Sequence, residues 1–425
     1  MQRSHRPIFV LAVGALVAVM ASPALAAGPG DLDTSFGGDG IRTVDYSGFS
    51  DYFYGVALHG KAPTGCGYSD GVAMITAFTR GGHLDDSFSG DGMWRMDILG
   101  HGYSYLEACR YLPDGRLVGV GAAQINGAGD DSMIVVVRKP NGMPDKNFSG
   151  DGLAVISFPG LPNVYAYDLA VQPDGKIVVV GETYDGSTTP AAGWFAVARV
   201  KPNGALDKTF SGDGRAKFDY HDGDEGVWKV LVQDDGKILL AGWVRNKADA
   251  EWNTGVARLK PNGAPDDTFG GDGRIEYNFL KGQDDYALGL DVRSDGRIVL
   301  GVYGYEDVGG TFKARIAQLR PGGGLDDTFG GGDGLLTGFE PDLLLEDLTL
   351  VGGKILVGGR DSVGPTPKIL RLGSAGAPDS TFGTGGSADL SSITGYMYDF
   401  AIDPMGRIVS AGSSSNDGLV FRVLG

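Results

Sequence analysis

Along this chain apolar and polar residues alternate with a period of two in short runs, and no stretch carries a helical period. The segment from Tyr165 to Tyr220 shows the pattern most cleanly. Tyr167 to Gln172 alternates, Lys176 to Glu182 is β-branched, Trp194 to Val200 forms a third run and Arg215 to Tyr220 a fourth. Between the first two runs lies Pro173-Asp174-Gly175, where Pro sets φ at one corner and Gly accepts positive φ at the next. A loop through Pro190 leads to the third run, and Lys201-Pro202-Asn203-Gly204 turns the chain toward the fourth. Four short strands joined by hairpins predict one antiparallel sheet, the description of a propeller blade.

The unit recurs. Leu206-Asp207-Lys208-Thr209-Phe210-Ser211-Gly212-Asp213-Gly214 has seven versions, centred on Phe36, Phe88, Phe148, Phe210, Phe269, Phe329 and Phe382. Each has an Asp three residues earlier: Asp33, Asp85, Asp145, Asp207, Asp266, Asp326 and Asp379. Successive Phe residues are 52, 60, 62, 59, 60 and 53 apart, a period that marks a repeat architecture. The first hairpin turn recurs too, as Pro113-Asp114-Gly115, Asp234-Asp235-Gly236, Ser294-Asp295-Gly296, Gly352-Gly353 and Pro404-Met405-Gly406. In the earliest unit Gly60-Lys61 precedes Pro63, which predicts a short or irregular second strand near Cys66.

The C-terminal segment offers three strands and stops, whereas the chain after residue 26 starts at the next piece of the repeat, Asp31 to Gly40, with a strand at Ile41 to Asp45. Joining 396–425 to 31–45 completes a seventh blade and leaves no open sheet edge. The predicted fold is therefore all-β: one seven-bladed propeller of four-stranded antiparallel blades over residues 27–425, expected to be a monomer.

Pro-Asp-Gly-Lys-Ile at 173–177, followed by the Phe motif at 206–214, resembles the delta-60 repeat of exported bacterial proteins. The resemblance implies a propeller-like repeat protein outside the cytoplasm and implies no activity. The chain departs from the pattern at Gly383-Thr384-Gly385-Gly386, where the late Asp is missing, and at the first hairpin.

Composition adds limits. Seventy-three Gly fall at turns rather than every third residue, which excludes collagen, and 19 Phe with 17 Tyr are too many for a disordered chain. Residues 1–26 read as an export signal: Arg3 and Arg6, an apolar run from Ile8 to Met20, then Ala24-Leu25-Ala26. The expected location is periplasmic or extracellular, with no membrane insertion. Without Arg3 and Arg6 the formal charge passes from −17 to −19, which disfavours nucleic acid and anionic membranes as partners. Export permits a Cys66–Cys109 disulfide, whose geometry sequence leaves open.

Candidate chemistry is sparse. The repeated Asp and Phe fit a structural staple, in which the Asp bonds backbone N–H groups two residues on and the Phe is buried. Calcium is the alternative, with oxygens from Asp266, Asp267 and Asp272 or from Asp326, Asp327 and Asp333. Gly67-Tyr68-Ser69-Asp70-Gly71 matches G-x-S-x-G but lies between strands, not at a strand-to-helix elbow. His59, His83, His101 and His221 have no metal-like spacing, so neither a catalytic residue nor a cofactor is assigned.

In a four-stranded meander the two repeated turns lie at one end and the variable connections at the other, so the variable face is the expected binding face. Tyr105, Tyr165, Tyr286 and Tyr396 each stand ten residues before a hairpin Gly, just ahead of a first strand. First strands line the centre of a propeller, so these rings form an aromatic collar there or else pack between blades. Asp222, Asp224, Glu225, Asp284 and Asp285 supply acids for a sugar or cationic ligand, or are solvated loop tips. The expected function is non-enzymatic binding or scaffolding of a glycan or protein. A hydrolase or lyase with a metal or acidic cluster in the central mouth is the second reading, and calcium-stabilised adhesion the third.

Overall fold

Strand-forming runs and turn residues act together in each repeat. In the third, strands Asn163–Val171, Ile177–Asp185, Ala192–Val200 and Arg215–Phe218 pair in sequence order. At the first turn Gly175 has a φ of 78°, and Asp174 Oδ1 accepts the Lys176 N–H at 3.1 Å. The computed structural model describes residues 27–425 except 47, 49, 101, 127–129, 186–191, 222–223, 246–250, 307–310 and 341. The expected export signal, His101, Pro190 and Asp222 lie outside the described residues.

Seven antiparallel sheets are present. Each first strand touches the first strands of the blades before and after it, so these strands form a closed inner ring. The last sheet is built from both ends of the chain: Ile41–Val44 pairs with Asp417–Val423, Ile41 opposite Phe421 and Val44 opposite Gly418. The protein is a seven-bladed β-propeller. Among the described residues no helix is long and apolar enough to cross a membrane.

Two departures have local causes. The sixth sheet has three named strands, and its outer strand is reduced to an isolated bridge between Leu370 and Ser387. Elsewhere the late Asp of the motif accepts the N–H two residues on, as Asp213 does from Arg215 at 2.9 Å. Gly385 stands at that position in the sixth blade and has no carboxylate to start the strand. The second strand of the first blade, expected to be short or irregular, is instead regular over Ala62–Ser69. Gly60-Lys61 makes a two-residue hairpin turn, and Pro63 is tolerated because it stands next to the strand's first residue.

The repeated motif fastens each blade internally and to the next. Asp207 Oδ1 takes the Thr209 hydroxyl at 2.8 Å, while Oδ2 takes Arg199 Nε at 2.9 Å. Arg199 also lies over the Phe210 ring, 4.8 Å from its centroid, and donates to the Pro261 carbonyl in the next blade. The Ser211 N–H donates to the Asn262 carbonyl of that same turn at 2.8 Å. All seven motif Phe side chains are buried, each burial worth roughly 1.5–3 kcal/mol.

Cys66 and Cys109 are joined in a disulfide that ties the second strand of blade 1 to the first strand of blade 2, with 6.4 Å between Cα atoms. It closes a loop with a sequence separation of 43, for which chain entropy gives about 4 kcal/mol.

Asp207 and Arg199 are almost wholly buried, so Asp207→Ala leaves an uncompensated guanidinium and is expected to cost about 3–5 kcal/mol in urea unfolding. Asp267→Ala removes an exposed partner of Lys260 and is expected to stay within about 0.5 kcal/mol. Replacing Cys66 and Cys109 together with Ser is expected to lower stability by about 2–4 kcal/mol in the same assay.

Candidate functional site

Every first strand carries a β-bulge at one equivalent position, between Phe53 and Gly55 in blade 1 and between Met397 and Asp399 in blade 7. A bulge sets two residues against one and re-aims a side chain. The seven re-aimed residues are Tyr54, Glu107, Tyr167, Trp228, Leu288, Glu346 and Tyr398, and together they line a cavity of about 510 Å³. The cavity lies at the N-terminal end of the inner strands, the end from which the variable connections leave. Four of the seven residues are aromatic, two are carboxylates and one is Leu.

Two arcs of rings extend this inner ring. One runs through Tyr167, Trp243, Trp228, Tyr286 and Tyr303, with Trp228 and Trp243 centroids 4.6 Å apart. The other runs through Tyr398, Tyr54, Tyr52, Tyr68, Tyr103 and Tyr105, with Tyr398 and Tyr54 at 5.7 Å.

Below the ring the channel narrows to a waist of charges. Lys229 Nζ is 2.8 Å from Asp347, and Arg110 lies 3.6 Å from Asp168 and 3.9 Å from Asp399. Asp399 also accepts the Val56 N–H at 2.8 Å, and Asp168 the Val230 N–H at 3.0 Å, each across a blade boundary. Arg110, Asp168, Lys229 and Asp347 also line a second cavity, of about 670 Å³, toward the opposite end. The waist therefore divides two funnels.

Burial sets the titration of these acids. It pushes Glu107 up to about 7 against the opposing charge of Lys229. Glu346 is pushed to about 7 in the same way, although Arg360 Nε donates to it at 3.0 Å. Asp347 is raised to about 6 by burial despite Lys229. Burial works against the charge of Lys229, yet Asp347, Asp399 and Asp168 together hold its ammonium above the usual range.

Tyr105, Tyr165, Tyr286 and Tyr396 lie within the first strands rather than ahead of them, two residues before each bulge on the same alternating side. They stand one step nearer the rim. Tyr286 packs on Trp228 of the preceding blade, Tyr165 donates to Asp131 at 3.0 Å, and Arg360 lies over Tyr396. Reading eight residues back from the hairpin Gly, not ten, reaches Glu107, Tyr167, Trp228, Leu288 and Tyr398. The alternation contained that signal.

The acids expected on the variable face divide. Glu225 is buried and accepts the Tyr220 and His221 N–H groups at 2.8 and 2.9 Å. Asp285 is buried and takes the Thr254 hydroxyl and the N–H groups of Thr254, Phe279 and Leu280. Both hold interblade connections in place and are not loop-tip acids, because backbone N–H groups excluded from water needed acceptors. Asp284 accepts the Trp252 N–H at 3.0 Å, and Asp224 is half-buried.

The carboxylates considered for calcium turn to separate partners. Asp266 is met by Arg258, Lys237 and Thr268, Asp267 by Lys260 and Asp272 by Arg274. Likewise Asp326 is met by Gln318, Arg297 and Thr328, and Asp327 by Arg320. Among the described residues no group of three or more His, Cys, Asp or Glu gathers closely enough to hold a metal ion. Ser69 ends a strand at a hairpin whose turn residues, Asp70 and Gly71, both have positive φ.

Residues 172–210, 233–269, 293–329 and 353–382 are similar to a family described as a domain of unknown function (DUF5122) beta-propeller. Each match runs from a first hairpin to a motif Phe, so it falls on the repeated elements, and the chain is a β-propeller repeat protein. No curated protein matches the sequence. Among solved structures, PorZ, a surface component of the type-IX secretion system of Porphyromonas gingivalis, is 11% identical with a TM-score of 0.44. That likeness covers 94% of this chain and 48% of PorZ, so this chain spans about half its length. The gluconolactonase XC5397 from Xanthomonas campestris is 16% identical with a TM-score of 0.39, covering 95% of this chain and 99% of that one. A PL25 ulvan lyase is 10% identical with a TM-score of 0.49, covering 90% and 96%.

Two families of acid give stability opposite dependences on pH. Glu107, Glu346 and Glu225, near 7, and Asp347 and Asp285, near 6, keep protons in the folded state that the unfolded chain has released. Stability therefore falls as pH rises through about 5 to 7. Asp33, Asp145 and Asp207 are held below the usual range by hydrogen bonds and cations that outweigh their burial, so their contribution is lost as pH falls below about 4. Calorimetry is expected to find the highest melting temperature near pH ~5, with lower values at about pH 3 and pH 7.5.

Proposed function

We propose that this protein is an exported, monomeric binding protein that holds a saccharide in the aromatic mouth of its channel. The observation that carries this reading is the bulge ring, where four aromatic side chains and two carboxylates line a cavity of about 510 Å³. Ring faces suit the apolar face of a sugar, and carboxylates accept hydrogen bonds from hydroxyls. The inner strands are rigidly paired, so these groups are organised before a ligand arrives. Export is supported by the basic, apolar and small-residue order of residues 1–26 and by the Cys66–Cys109 bond, which suits an oxidising compartment.

Hydrolysis or elimination at the same mouth is the second reading. It is favoured by Glu107 and Glu346, whose carboxyls, pushed by burial to about 7, are in the range of a general acid or base. A protein that binds leaves the oligosaccharide intact, whereas an enzyme releases shorter products on incubation.

A glycan array on the mature chain, followed by calorimetry, tests the proposal. Trp228→Ala and Tyr167→Ala are each expected to weaken the best saccharide by about tenfold or more, since each removes one wall of the cavity. Saccharide binding that survives both changes would place the ligand elsewhere.

A further inference from the structure

The two carboxylates of the bulge ring are not equivalent. Glu346 is met by Arg360 at 3.0 Å. At the waist Lys229 is met by Asp347, and Arg110 by Asp168 and Asp399. Glu107 has no such partner: among the described residues no hydrogen bond or ion pair engages its carboxylate. Tyr54 and Tyr167 line the same cavity as Glu107, and Tyr103 and Tyr105 also feel its charge. Glu107 thus stands in the mouth without a paired counter-ion, beside Tyr54 and Tyr167.

Glu107 is half-buried, and a carboxylate partly withdrawn from water and left without a partner is costly, so a cation is the ligand that relieves it most. Aromatic faces add their own attraction for an ammonium group. An anionic ligand gains little here, because Arg110, Lys229 and Arg360 already have carboxylates against them. The formal charge of −17 also draws cations toward the molecule.

We propose that the Glu107 side of the mouth binds a primary ammonium group, that of an amino sugar, with Glu107 as counter-ion and Tyr54 and Tyr167 as its walls. The inference rests on the saccharide reading above and names the class of sugar. It also sets a pH dependence. The charged groups facing Glu107 are Lys229 from blade 4, Glu346 from blade 6 and Asp399 from blade 7, with the phenols of Tyr54, Tyr103, Tyr105 and Tyr167 around it. Burial, with the acids assisting and Lys229 opposing, raises the Glu107 carboxyl to about 7. Ammonium binds the ionised form, so its affinity rises with pH up to neutrality.

Calorimetry on the mature chain with oligomers of glucosamine, N-acetylglucosamine and glucose of equal length tests this. The glucosamine oligomer is expected to bind about tenfold or more tightly than the other two at pH 7, and its advantage to shrink at pH 5.5. Glu107→Gln is expected to bring the glucosamine oligomer down to the affinity of the glucose oligomer. An equal or stronger affinity for the acetylated or neutral oligomers, or a preference that survives Glu107→Gln, overturns the inference and leaves the saccharide reading standing. A preference in the unaltered protein that does not change between pH 5.5 and 7 also overturns it, independently of how the variant folds. Failure of all three oligomers, together with an empty glycan array, removes both.

Discussion

The propeller depends on a carboxylate that divides its two oxygens between local and distant partners. In blades 3, 4, 6 and 7 one oxygen of the motif Asp closes a turn with the Ser or Thr two residues on, and the other receives cations from the third strand and the first hairpin. Asp266 shows the full set, with Thr268, Arg258 and Lys237. Arg199, Arg258 and Arg422 then each reach a carbonyl of the next blade, so a local turn becomes an interblade clamp. Asp33 receives Arg422 at 2.8 Å and Arg407 at 3.1 Å, which makes ring closure one more instance of the same clamp. Such a network is stable only when each member is satisfied, because an unmatched buried charge costs more than the pair gains. Blades 1, 2 and 5 have Ala77, Val137 and Gln318 where the Arg would stand; Asp145 is met instead by Arg116, whereas Asp85 is left half-exposed.

Fastening the blades on the repeated face frees the opposite face to vary. There the backbone contributes a bulge in every inner strand, and only the side chain it presents differs. Seven equivalent positions around one axis thus become a ring of mixed chemistry. The bulge also brings the next residue of each strand into the channel, as Asp168, Lys229, Asp347 and Asp399, and these pair across it with one another and with Arg110. The charged waist gives the mouth a floor and ties non-adjacent blades together.

Much of this was legible from residues alone. Turn chemistry such as Pro173-Asp174-Gly175 acts over three residues, and the Phe motif is long enough to be counted, so blade number, strand order and the shared last blade follow from repetition. The inner face was half legible. Alternation identifies Tyr165 and Tyr167 as neighbours on one side of a strand, but the depth of each in the channel depends on the bulge. Glu225 and Asp285 look like loop-tip acids in one dimension, and their burial arises from the packing of the preceding interblade connections over them.

The sequence by itself determined the repeat, the number of blades and the closure of the ring, because these follow from short-range turn geometry and from strand patterns copied seven times. The tertiary structure alone decided which side chains face the axis and which charges meet there. Arg110 and Asp399 are far apart in the chain and share no local pattern, and only the closing of the ring brings them to 3.9 Å. The lone position of Glu107 has the same origin: its isolation is a property of what the other six blades place around it.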